Sequence, residues 1–359
     1  MVLFNDLVSE YQSIKWEIDQ AVSRVFKKGW YILGKEVENF EREFSKYLGV
    51  KYCVGVGSGT DAITLSLMAL GVSPRDEVIT TSLTAFPTIT GIINSGATPR
   101  VVDILPETGL IDPFEIKKVI NNKTKAIIPV HLYGQCCDMD SILALAKKYN
   151  LKIIEDSAQA CGAEFKNNKA GSFGNCGVFS FYPTKNLACY GDGGAIVTND
   201  QNVYEKLNLL RNYGQSSRYE HVIHGLNSRL DEIQAAILRI KLKFLEEWNQ
   251  KRVKISEFYI SNLKSVEPLL ISDDGKHVFH LFVIKHLERD KLIRHLKLKD
   301  IQTLIHYPRP VHKQVAFDFP FNQKLTQSKK FCDQVLSLPL HPWLTTDDLH
   351  EIVDLVNEF

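Results

Sequence analysis

From residue 52 onward, short apolar runs alternate with amphipathic stretches. YCVGVGS, EVITTS, PRVVDI, KAIIPVHLYG and KIIEDSA are rich in Val and Ile, and between them lie DAITLSLMALG, PTITGIINSG and SILALAKKYN. Near-continuous apolar runs predict strands buried on both faces, and strand–helix–strand at this spacing predicts a parallel, largely doubly wound α/β sheet. In DAITLSLMALG, Ile63, Leu67 and Leu70 share one helical face and Gly71 ends the helix; Asn150 ends SILALAKKYN. Ahead of the sheet, residues 9 to 48 read as helices broken at Gly29 and Gly34, with Val37, Phe40, Phe44 and Leu48 at helical spacing. Near residues 231 to 258 the pattern predicts one long amphipathic helix. Beyond it the composition turns to strands such as HVFHLFVIKH mixed with shorter helices. The chain therefore divides into a large domain, 1–245, and a smaller C-terminal α+β domain, 246–359.

Composition narrows the function mainly by exclusion. A net charge of +1 gives no electrostatic footing for nucleic acid or an anionic membrane, and no apolar run approaches the roughly 20 residues that span a bilayer. The first residues, MVLFNDLVSEYQSIKWEID, lack the basic start and apolar core of a signal peptide. Seven cysteines, two of them adjacent at Cys136 and Cys137, read as reduced thiols of a cytoplasmic protein. Without CxxC or HExxH no metal site is expected. The histidines of HVFH, three apart, would point to opposite faces of a strand.

Three stretches fall at the carboxyl ends of predicted strands, where open α/β sheets bind ligands. In GVGSGTDA a strand passes through glycines into a helix N-terminus, which suits a phosphate but equally an ordinary N-cap by Ser58 or Thr60. In IIEDSAQA, Asp156 lies just past a buried strand and needs a partner; a protonated ring nitrogen, an arginine or a backbone cap would serve. In FSFYPTKNLACYGDGGA, Lys185 sits between an aromatic run and a Gly-rich turn that partly bury it, which lowers an amine's pKa and makes it a better nucleophile. Together, a phosphate cradle, a buried carboxylate and a desolvated lysine match the needs of pyridoxal 5'-phosphate: an amine to form a Schiff base, a carboxylate to keep the ring nitrogen protonated, and a phosphate site.

These stretches, with GWYILGKEVENFEREF, TAFPTITGIINSGATPRVVDI and GLNSRLDEIQAAIL, occur in an order that resembles the DegT/DnrJ/EryC1 sugar aminotransferases over almost the whole chain. The resemblance implies the fold type I aminotransferase architecture and pyridoxal 5'-phosphate as cofactor. It implies Lys185 as the Schiff-base lysine and proton shuttle, Asp156 on the ring nitrogen, Gln159 near the ring's 3′-oxygen and Phe86 on the ring face. Gly59, Thr60 and Ser180 then hold the phosphate, with Asn227 reaching it from the neighbouring subunit, so a homodimer with shared active sites is expected.

The family moves an amino group, usually from L-glutamate, onto a nucleotide-linked keto sugar. IHYPRPVHKQ, residues 305 to 314, resembles members acting at C3 of dTDP-3-keto-6-deoxyhexoses. His306, Tyr307 and His312, with Tyr31 of the GWYILG segment, then border the sugar. A C4 aminotransferase on a 4-keto-6-deoxy nucleotide sugar is the alternative, and a non-catalytic regulator on the same fold a remote one. The regulator would need a DNA-binding element, and no helix-turn-helix with a basic face is apparent. Family dehydratases carry histidine in place of the lysine, so Lys185 argues against dehydration. A surface glycan such as lipopolysaccharide is the destination the family suggests. The chain departs from common family patterns at Leu187-Ala188-Cys189, Leu226 and Arg309.

Overall fold

A computed structural model describes residues 1–272, 274–319 and 324–359. Seven strands build the central sheet: β1 (Tyr52–Val56), β2 (Glu77–Thr81), β3 (Thr98–Val102), β4 (Thr124–Ile128), β5 (Lys152–Asp156), β6 (Cys176–Ser180) and β7 (Gly194–Thr198). Their spatial order is β1-β7-β6-β5-β4-β2-β3. Six strands run one way; β7 is antiparallel to both its neighbours, β1 and β6. The apolar runs become strands because both faces are covered. Ile79, Ile127 and Ile153 point into one apolar cluster, while Val78, Ile128 and Ile154 point into another on the opposite face. Helix Gly59–Ala69 is buried nearly all round and lies on the second face, packed against helix Phe86–Asn94.

The N-terminal region forms helices Leu7–Ser13, Lys15–Lys28 and Lys35–Leu48, with Gly29 and Gly49 as left-handed C-caps. Helix Lys35–Leu48 starts at Gly34 without a side-chain cap of its own. Glu232 supplies one from afar, its carboxylate accepting from the backbone N–H groups of Gly34, Glu36 and Val37 at 2.9, 3.0 and 2.8 Å. In the C-terminal part a three-stranded antiparallel sheet, Glu267–Pro268, Phe282–Lys285 and Val335–Leu338, shares a core with Tyr259, Leu292, Leu296, Ile352 and Val356. Val2 joins that core and pairs with Ile301.

Three local expectations need correction. The long helix from residue 231 is two helices, Glu232–Leu242 and Leu245–Asn262. The break comes where Lys243 and Phe244 bond three residues back, to Ile240 and Lys241, tightening the turn without glycine or proline. KAIIPVHLYG is extended only to Ile128; Leu132–Gly134 is a 3₁₀ turn with Tyr133 at φ +60°. HVFHLFVIKH is a strand only over Phe282–Lys285, because Phe279 takes φ +44° and turns the chain, so the argument that His277 and His280 occupy opposite strand faces does not apply.

Candidate active site

The carboxyl ends of β1, β5 and β6 open into one cavity of about 370 Å³. Ser58, Gly59, Thr60, Asp156, Gln159, Ser180 and Lys185 are in its wall. After β1 the chain turns at Gly57 and enters helix Gly59–Ala69, where Ser58 Oγ accepts from Asp61 N at 3.1 Å. The backbone there is packed too closely for larger residues. A Cβ on Gly59 would lie 2.8 Å from Ser180 Cβ, and one on Gly194 would lie 2.5 Å from the Ser58 carbonyl carbon. What remains is a concave helix N-terminus with free N–H groups and the positive end of the helix dipole beside a serine hydroxyl, suited to a phosphate.

Asp156 ends β5 with its carboxylate buried. Its Oδ2 accepts from Thr88 Oγ1 at 2.8 Å and its Oδ1 from Ala158 N at 3.2 Å. Burial raises its pKa, while the two hydrogen bonds and the Lys185 charge oppose the rise. Lys185 closes a turn after β6, its N–H bonded to Tyr182 O at 2.9 Å. Burial lowers the Lys185 amine to about 8, against a smaller opposing pull from Asp156. The site thus holds an amine that gives up its proton near pH 8 and a carboxylate shielded from water.

Gln159 links this centre to the C-terminal part of the chain. Its Oε1 accepts from Tyr133 N and its Nε2 donates to Tyr307 Oη, both at 2.8 Å. Tyr133 Oη in turn donates to the His306 carbonyl oxygen. His306 stacks on Phe4, with ring centroids 5.8 Å apart, and its Nδ1 lies 2.9 Å from Ser337 Oγ. Burial, then the Lys185 charge, lowers His306 to about 4.

The other sequence-predicted residues are more dispersed. Phe86 starts helix Phe86–Asn94 between cavity residues Ala85 and Pro87, but its ring packs against the Ile89, Val101, Val311 and Leu325 cluster. His312 lies in the 3₁₀ turn Val311–Lys313 and is lowered to about 4, chiefly by burial. Tyr31 is exposed, its carbonyl accepting from Glu232 N at 3.0 Å. Asn227 is exposed and bridges to Asn212.

Two contacts at the centre escaped sequence reasoning. Thr88 lies inside the TAFPTITG stretch, yet nothing in its spacing marks its hydroxyl as the partner of Asp156. His280 Nε2 lies 3.5 Å from Lys185 Nζ across 95 residues of chain. No local motif could have joined them.

Residues 12–357 match the family model for the DegT/DnrJ/EryC1/StrS aminotransferase family. The chain belongs to this family. Among its members, a dTDP-3-amino-3,6-dideoxy-alpha-D-galactopyranose transaminase of Aneurinibacillus thermoaerophilus is 47% identical over 361 residues, covering 100% of this chain and 99% of the other. The crystal structure of DesV from S. venezuelae superposes with a TM-score of 0.97 at 42% identity, covering 99% of this chain and 98% of that one. The structure of NtdA from Bacillus subtilis with bound cofactor PMP gives a TM-score of 0.90 at 34% identity, over 96% and 82% of the two chains.

The cavity fits the pyridoxal cofactor of such aminotransferases on its own geometry. Close packing at Gly59 and Gly194 brings the helix N-terminus up against Ser180 in the cavity wall, and an amine and a buried carboxylate share the remaining wall. Among the described residues no group of three or more His, Cys, Asp or Glu side chains is placed to hold a metal ion, and no helix is long and apolar enough to cross a membrane.

Proposed function

We propose that this protein is a pyridoxal-phosphate-dependent transaminase that delivers an amino group to C3 of a dTDP-3-keto-6-deoxyhexose, with L-glutamate as donor. The reaction class follows from the family, and the C3 and dTDP assignment draws on 47% identity with a dTDP-3-amino sugar transaminase. The observation that carries the chemistry is the convergence of Lys185, Asp156 and a phosphate-sized helix N-terminus in one cavity.

When bound, the cofactor supplies a reactive carbonyl and a conjugated ring that takes up the electron pair left as a proton departs from carbon. The protein's residues do the rest. Gly59, Thr60 and Ser180 would hold the phosphate. Asp156, kept in place by Thr88 and Ala158, would hold the ring nitrogen, and Gln159 would hold the ring oxygen. Phe86, at the start of its helix beside the cavity, would cover a ring face only by turning its ring out of the Ile89, Val101, Val311 and Leu325 cluster. Lys185 would anchor the cofactor, and its amine would take up and return the proton at the substrate carbon. An amine that ionises near pH 8 suits that task, because it can both accept and return a proton.

Asn227, exposed on this subunit, reaches the phosphate of a second subunit, so the working unit is a homodimer with shared sites. His306, Tyr307, His312 and Tyr31 border the sugar. Tyr307 is tied to the centre through Gln159. The enzyme works in the cytoplasm.

The test is a spectral cycle. L-Glutamate should abolish the visible absorbance of the purified holoenzyme, and dTDP-3-keto-6-deoxyglucose should restore it, with neither change in Lys185→Ala. Recovery as fast or faster with a 4-keto-6-deoxy nucleotide sugar would overturn the C3 assignment. No spectral response to any amino donor would overturn the transaminase itself.

A further inference from the structure

Behind Lys185 lies a buried chain of hydrogen bonds whose order can be read donor by donor. Asn186, the next residue, is buried, and its Nδ2 donates to Asn249 Oδ1 at 2.8 Å and to the Val278 carbonyl at 3.2 Å. Those two bonds occupy both amide hydrogens. Asn186 Oδ1 therefore remains as an acceptor, and it lies 3.1 Å from His280 Nδ1. An acceptor facing Nδ1 requires the proton on Nδ1, which leaves a lone pair on Nε2. That lone pair lies 3.5 Å from Lys185 Nζ.

The imidazole is also held against movement. Val278 N donates to Gly134 O at 3.0 Å and Leu281 N to Tyr133 O at 3.3 Å. A Cβ on Gly134, which has φ +106°, would come within 2.8 Å of His280 N, so the segment carrying His280 is pressed against a position open only to glycine. His280 is 7% exposed. Burial most of all, then the Lys185 and Arg252 charges and the neighbouring titratable His306, disfavour a second proton on the ring. An apolar side chain could fill the same volume; a histidine with both ring nitrogens committed does something more.

We propose that His280 is the positioning residue for the transferring amine: locked by Asn186 as the Nδ1–H tautomer, it accepts one N–H of Lys185 at Nε2 and so directs the amine's lone pair at the reacting carbon. The inference rests on the reading of Lys185 as that amine. No proton leaves the pair. One Lys185 hydrogen is held by His280, and the nitrogen lone pair stays available to take the substrate proton. When Lys185 is not joined to the cofactor, His280 is the fixed point against which it rests.

The interaction is measurable in the cofactor-free protein, by competitive acetylation of Lys185 with acetic anhydride across pH, read by mass spectrometry. In the wild type the midpoint should fall at about 8. An acceptor for N–H favours the ammonium form, so His280→Phe should lower the midpoint by about one unit. His280→Gln, whose amide can donate to Asn186 and accept from Lys185, should largely restore it. In the holoenzyme, His280→Phe should reduce kcat by about tenfold with little change in KM for the sugar. If His280→Phe does not fold, Asn186→Ala removes the acceptor that sets the tautomer, along with the bonds to Asn249 and Val278, while leaving the imidazole in place, and its midpoint should also fall. An unchanged midpoint in a folded His280→Phe or Asn186→Ala variant makes His280 a packing residue and overturns the proposal. Failure of the underlying reading looks different: Lys185→Met would then still turn over, whatever His280 does.

Discussion

Thr88 Oγ1 donates to Asp156 Oδ2 at 2.8 Å, and Thr84 Oγ1 lies 2.8 Å from the same Thr88 hydroxyl. The bond joins the helix that follows β2 to the end of β5, so two crossovers of the sheet agree on where one carboxylate sits. Thr88→Val keeps the shape and removes the donor, leaving a buried carboxylate oxygen without its partner. Cofactor affinity should fall by about tenfold, by fluorescence titration, while Asp156→Ala should abolish turnover.

Gly59 and Ser180 face each other across the mouth of the helix N-terminus. Gly59→Ala places a Cβ 2.8 Å from Ser180 Cβ and should cost about 1–3 kcal/mol of stability. Ser180→Gly in the same chain should recover most of that loss in thermal melts. Cofactor binding should stay weak in the double variant, because the phosphate space and the hydroxyl are then both altered.

Lys185 strains the cofactor-free fold in a pH-dependent way. Its folded pKa, about 8, lies below the 10.5 of a free lysine, so between these values the unfolded chain binds more protons than the folded one. Stability contributed through this group therefore rises with pH from about 8 to 10.5, and the full penalty is present below 8. Lys185→Met should raise the stability of the cofactor-free protein at pH 7 by about 1 kcal/mol, allowing for partial exposure. The gain should vanish in denaturant titrations at high pH. Activity lost and stability gained together mark a site strained for function.

Glu232 replaces a local cap for helix Lys35–Leu48. Three backbone N–H groups depend on its carboxylate, so Glu232→Ala should destabilise the fold by about 2–4 kcal/mol in urea titration. Glu232→Gln, with one acceptor oxygen in place of two, should fall in between.

The alternation of buried runs made the parallel strands legible, because Val and Ile crowd both faces of each. The same pattern could not orient β7: GAIVT is as apolar as its neighbours, and the connection after β6, residues 181–193, carries no helix to make a parallel crossover. Lys185, Asp156, Gln159, Gly59, Thr60 and Ser180 could be singled out because each sits in a turn or strand end with its own local signature, and the cavity gathers all six. Thr88 and His280 carry no such signature, since their partners lie 68 and 95 residues away. The break at Lys243–Phe244 was hidden for a different reason: neither residue is a helix breaker, and Phe244 stacks on Trp248 one turn further on, at ordinary helical spacing.

All seven cysteines are free and buried. They are also distributed by layer. Cys136, Cys137 and Cys332 belong to the cluster on one side of the central sheet, Cys176 to that on the other, and Cys53, Cys161 and Cys189 to the cluster beneath helix Lys35–Leu48. An alkylating reagent can reach each thiol only when its layer opens. The order in which the seven are labelled under mild denaturant would therefore be a timetable of how the molecule comes apart, written by the protein without any introduced probe.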